Sequence, residues 1–176
     1  MNPIPNNMRG DLHTLKKVCR YASVVMLAGE IAFIALIAAV GILGAWSFSS
    51  PDMRGTFSSI IKCGGSDLSL ASGTLETMLI FAAMFVTVKT IHDIMMSIQR
   101  EDSPFVVENA ERFKTVSLTF LVSSVPLAVL EYLTRSDWIL AVCVLLVCIL
   151  ICVVMYCLTI IFRYGCALQD ESDHTL

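Results

Sequence analysis

Four apolar runs, at 21–48, 75–96, 113–133 and 138–162, divide the chain, and each is long enough to cross a bilayer as a helix. A helix rising about 1.5 Å per residue needs roughly 20 apolar residues to span a hydrocarbon core of about 30 Å. The runs differ in character. The last carries no charge and opens on Trp138, a residue suited to the bilayer interface. The first is broken only by Glu30, whereas the second holds Lys89, His92 and Asp93 in its latter half. In the third, the uncharged stretch 115–130 is short, and Pro126 within it predicts a kink. Neighbouring membrane helices can satisfy the carbonyl that such a proline frees.

The connections alternate in length. A Ser- and Gly-rich loop at 49–73 joins the first two runs, a polar segment at 97–112 the next two, and a turn at 134–137 the last two. The expected fold is therefore all-α: a single integral membrane domain, a four-helix bundle of two antiparallel hairpins, followed by a tail at 163–176. In the first helix Ala28 and Ala32, Ala35 and Ala39, and Gly41 and Ala45 are spaced for close helix packing, or are simply part of an Ala-rich span. About twenty polar residues precede the first run, which is too long for a signal peptide's apolar core and reads as a retained anchor.

Composition supports a lipid environment. Apolar residues make up 56% of the chain and charged residues 15%, and the mean hydropathy is +0.77. Soluble domains carry about 25% charged residues. The net charge of −3 and the lack of a basic run argue against direct nucleic-acid binding. Basic residues set the orientation. Arg9, Lys16, Lys17 and Arg20 precede the first helix, and Arg100, Arg112 and Lys114 lie between the second and third. The other two connections hold only Arg54, Lys62 and Arg135. Positive charge stays on the cytoplasmic side, which places the N- and C-termini in the cytoplasm.

Charges within membrane helices mark candidate sites. Glu30 lies ten positions after Arg20, and Lys89 eleven before Arg100. Both are therefore about 15 Å in from the cytoplasmic helix ends. In an antiparallel hairpin Glu30 is expected to meet Lys89, with Asp93 one turn away sharing the cation and His92 alongside. This polar cluster of Glu30, Lys89, His92 and Asp93 is either an ion pair that fixes packing or a proton or ion relay. Glu131 and Arg135 read as an interfacial i, i+4 pair. Cys143, Cys148, Cys152 and Cys157 lie in one apolar run without a His or carboxylate, so they read as packing residues rather than metal ligands. No phosphate loop, zinc motif, nucleophile elbow or dinucleotide fingerprint occurs, so neither an enzyme nor a cofactor is expected.

Ser103-Pro104-Phe105 is a helix-start signature: Ser can cap free amides and Pro is tolerated at the first helical position. The following residues form either a short amphipathic helix along the cytoplasmic surface or the solvated first turns of the third helix. Phe105, Asn109 and Phe113 fall near one face.

The segment from Ser103 through Glu108-Asn109-Ala110 to Arg112-Phe113-Lys114 makes up one motif. Phe162-Arg163-Tyr164-Gly165, Leu168-Gln169, Glu171-Ser172-Asp173 and Thr175-Leu176 make up another. Together they resemble a family of small bacterial four-pass membrane proteins classed as a domain of unknown function. The resemblance implies a bacterial inner-membrane protein and a small helix-turn-helix regulator as partner; it implies no catalytic residues. The partner surface so indicated comprises Ser103, Pro104, Phe105, Asn109, Arg112, Tyr164, Gly165, Gln169, Glu171 and Asp173. Asp170, Glu171 and Asp173 give the tail an acidic end that a basic DNA-binding protein complements, or that is simply a solvated terminus. The expected function is non-enzymatic regulation or sensing. The alternative is a small transporter or channel, assembled as a homo-oligomer, that uses the intramembrane charges.

Overall fold

A computed structural model describes residues 6–100 and 105–174, with side chains over 16–100 and 105–171. Among the described residues there are five helices and no strand: α1 (Asn6–Ser49), α2 (Pro51–Ile61), α3 (Asp67–Arg100), α4 (Val107–Arg135) and α5 (Trp138–His174). Of these, α1, α3, α4 and α5 are long and apolar enough to cross a membrane. The protein is thus a multi-pass membrane protein built as an all-α bundle.

Every long helix outruns the apolar run that announced it. The stretch 49–73 is not an open loop. Pro51 sets the first turn of α2 and Asp52 favours its N-terminus, while Lys62 closes the helix in the left-handed region at φ 57°. Ser66 then accepts the Ser69 N–H at 3.2 Å and starts α3 eight residues before the apolar run. α4 begins at Val107 after an extended Val106, so Ser103 and Pro104 are not its cap; both lie outside the described residues. The polar residues after Phe105 are the first turns of α4 and not a separate surface helix. Asp137 caps α5 by accepting the N–H groups of Ile139 at 2.9 Å and Leu140 at 3.3 Å. α5 runs to His174, so the tail is helical rather than frayed.

The four spans pack in chain order. α1 lies against α3, α3 against α4 and α4 against α5, with α2 tucked beside α1 and α3. Among the described residues the backbone of α1 stays clear of those of α4 and α5, and the backbones of α3 and α5 do not meet. Ala83, Val116, Phe120, Leu127 and Cys148 form the core, which belongs to α3, α4 and α5. The outer helices expose long apolar faces: Val24, Ile31, Leu146 and Leu150 are all more than half exposed. Water would penalise faces of this size, whereas lipid accommodates them.

Glycine and not alanine brings α1 close to α3. A Cβ on Gly44 would stand 2.5 Å from Thr74, and one on Gly29 3.3 Å from Val88. Ala28, Ala32, Ala35, Ala39 and Ala45 are exposed on the other side of α1, so most of the small-residue spacing does not serve this contact.

Candidate functional site

The antiparallel order brings the start of α1, the end of α3, the start of α4 and the end of α5 to one end of the bundle. Here the two sequence motifs meet. Phe105, just before α4, packs on Phe162 of α5 with ring centroids 5.5 Å apart, and Phe113 packs on the same ring at 4.9 Å. Phe105 also lies over Gly165, where an added Cβ would stand 2.5 Å from the ring. Arg163 of α5 pairs with Glu111 of α4, and Lys114 stands 3.6 Å from the same carboxylate. Asn109 is fully buried and accepts a bond from Arg112 at 2.8 Å; Arg112 also donates to the Asp93 carbonyl at 3.0 Å. Arg112 thereby links α4 to α3.

Beside this aromatic stack opens a recess of about 540 Å³ lined by Phe105, Val107, Arg163, Cys166, Gln169 and Asp170. Tyr164, Gln169, Asp170 and Glu171 are exposed around it. Of the proposed partner surface, Phe105, Tyr164, Gly165, Gln169 and Glu171 therefore lie at one end of the molecule. Asn109 and Arg112 instead hold that end together from inside. Ser103, Pro104 and the Asp173 side chain lie outside the described residues.

The intramembrane cluster is arranged differently from the expected one. Glu30 meets His92, not Lys89: Nδ1 of His92 lies 2.5 Å from Oε1 of Glu30, and both side chains are largely buried. Lys89 is exposed on another face of α3 and forms no ion pair with Glu30 or Asp93 among the described residues. Gly29 sits against Val88, so Glu30 and Lys89 are level along the two helices. Rotation about α3 decides the partner. His92 shares the α1-facing side of α3 with Val88 and Phe81, and Phe81 packs on Phe33 of α1 at 6.0 Å. Lys89, one position after Val88, is turned away by about 100°.

A third polar group, at the opposite end, was not foreseen. Glu131 and Arg135 form the expected i, i+4 pair, but Glu131 is 1% exposed and is no surface residue. Glu76 of α3 is 5% exposed and lies beside Glu131 and Thr134. Hydroxyls secure the same seam: Ser69 donates to the Thr134 carbonyl at 2.7 Å, and Thr134 donates to Ser72 at 3.1 Å. The last carbonyls of a helix lack partners within it, and these bonds supply one at the end of α4. Ser69, Ser72, Gly73 and Glu76 recur at helical spacing on α3, and that polar stripe inside a membrane segment was the readable signal.

Comparison of the chain with protein-family models, with curated proteins and with solved structures returned no match, so no family assignment follows from them.

Proposed function

We propose that this is a non-enzymatic regulatory or sensory protein of a bacterial inner membrane. Its termini face the cytoplasm, and the end formed by the start of α4 and the extension of α5 binds a cytoplasmic partner, such as a small helix-turn-helix regulator. One observation carries the reading: the stretches 105–114 and 162–171 pack into a single surface with a recess at its edge. Exposed Asp170 and Glu171 beside that recess complement a basic partner. The excess of Lys and Arg on the same end supports the cytoplasmic orientation.

The test is co-purification from native membranes followed by mass spectrometry. Deleting residues 167–176 removes the acidic extension while retaining Phe162 and Gly165, and with them the packing of Phe105. A DNA-binding protein recovered with the intact chain and lost with the shortened one is the expected result. Equal recovery from both chains refutes the docking site. The transporter or channel reading keeps a specific observation of its own, the two buried acid-base groups at different depths of the bundle.

A further inference from the structure

The seam between α3 and α4, at the end of the bundle away from the Phe105 stack, buries two acids side by side. Glu131 and Glu76 are both buried, and the cation beside them is Arg135, paired with Glu131. The neighbouring helices bring no second cation. α1 carries no charged residue after Glu30, and α5 none before Arg163. Arg54 of α2 is paired with Asp67, Asp137 caps α5, and Asp52 and Lys62 are exposed. Of the other titratable side chains at this end, Tyr132 and Cys143 are exposed and Cys63 is half-buried. Two carboxylates placed together in a buried seam cannot both ionise freely, and holding one proton in common relieves them. With that proton the pair carries one negative charge against the one guanidinium.

The acids adjoin a clasp. Thr134, three residues after Glu131, offers its carbonyl to the Ser69 hydroxyl at 2.7 Å and to the Gly64 N–H at 3.4 Å, and its hydroxyl donates to Ser72 at 3.1 Å. Cys63 sits in the same turn, and a Cβ added at Gly73 would stand 3.0 Å from Thr134 and 3.5 Å from Cys63. The turn between α2 and α3 is thus held against the end of α4. Glu131 and Arg135 also line one end of an apolar groove of about 320 Å³ between α3 and α5, walled by Ile80, Met84 and Val147. Water drawn to an added charge has room there.

We propose that Glu76 and Glu131 hold one exchangeable proton between them, and that its loss releases the α2–α3 turn from the end of α4, as a proton-operated latch. As the pH rises the proton passes to water beside the Arg135 side chain, which is 35% exposed. Two carboxylates and one guanidinium remain. The second carboxylate is then buried without a cation, and the seam opens until water reaches it. Glu131 moves with Thr134 on the same turn of α4, so the bonds to Gly64, Ser69 and Ser72 part with it. The latch is independent of the partner surface, which lies at the other end of the bundle.

The test uses the full chain in lipid nanodiscs and two measurements. Infrared difference spectroscopy reads a protonated carboxyl by its C=O stretch. A band is expected at neutral pH that is lost as the pH is raised and is missing from Glu76→Gln, where Glu131 stays ionised beside Arg135. The second measurement is the rate at which a membrane-impermeant maleimide labels Cys63, read by peptide mass spectrometry and divided by the rate for glutathione at the same pH. That ratio should rise about ten-fold or more over the pH range in which the band is lost, and should stay low in Glu76→Gln. Absence of the band, or the same band in Glu76→Gln, overturns the shared proton. A ratio that does not change with pH overturns the latch. If Glu76→Gln does not fold, the unsubstituted chain decides: band loss and faster labelling must fall in one pH range, and separate ranges refute the proposal.

Discussion

Arg135→Met isolates the electrostatics of the buried acidic pair. The substitution keeps an unbranched apolar side chain and removes the charge, leaving Glu131 buried without its cation. Breaking a buried ion pair by removing one partner costs about 3–5 kcal/mol. Glu131 is fully buried, but the Arg135 side chain is 35% exposed. Solvent and headgroups already screen part of the interaction, so a loss of about 2–3 kcal/mol is expected. The diagnostic step is a second substitution. Glu76→Gln in the Arg135→Met background removes the second acid beside Glu131 and should return about 1 kcal/mol or more, although it deletes a native side chain. Unfolding in mixed micelles, titrated with sodium dodecyl sulfate and followed by far-UV circular dichroism, measures all four proteins of the cycle. The reasoning fails if Arg135→Met costs less than about 0.5 kcal/mol, which is the range of an ordinary surface change. It also fails if the double variant is no more stable than Arg135→Met alone.

Two further perturbations test how α1 is held. Glu30→Gln should cost about 1.5–3 kcal/mol in the same unfolding assay, because a charged bond to His92 is lost between largely buried groups; Lys89→Met should be neutral or stabilising, since Lys89 is exposed and makes no ion pair with Glu30. Equal losses would restore the Glu30–Lys89 pairing that depth alone predicts. Gly44→Val should cost about 1–3 kcal/mol by thrusting a side chain into Thr74, whereas Gly55→Ala in α2, with nothing within 4 Å, should gain about 0.5–1 kcal/mol from helix propensity. Circular dichroism melting of both variants checks the contrast.

Hydropathy reads the part of a helix that lipid selects and no more. It located all four spans, but it placed the start of α1 at 21 and the end of the last span at 162, whereas α1 begins at Asn6 and α5 reaches His174. Polar residues outside the bilayer continue a helix without an apolar signal. α2 was hidden for the opposite reason. Its cue was local, Ser50 before Pro51 and Asp52, and it lay within a Ser- and Gly-rich stretch. At the sites, counting along the chain gave depth correctly, and gave Glu131–Arg135 because that pair lies on one helix. It could not give the partner of Glu30, which depends on how α3 is rotated against α1. Nor could it give Glu76–Glu131, which depends on α3 meeting α4 and not only α1.

The bundle's connectivity decides how its two ends can influence each other. α3 is tied to α1 through Glu30–His92 and to α4 at both ends, through Arg112 at one and through the bonds of Ser69 and Ser72 with Thr134 at the other. α5 is tied to α4 through Arg163–Glu111 and the Phe162 stack at one end, and to both α3 and α4 through the core around Cys148 in the middle. α3 and α5 meet through side chains, with Ala83 in the core around Cys148 and Ile80 and Met84 across the groove from Val147. Any shift of α5 against α4 is then delivered to Phe162 and Gly165, the residues on which Phe105 rests. A movement within the membrane-spanning part of α5 is thereby connected to its far end, and among the described residues no backbone contact with α4 or α5 draws α1 into that path.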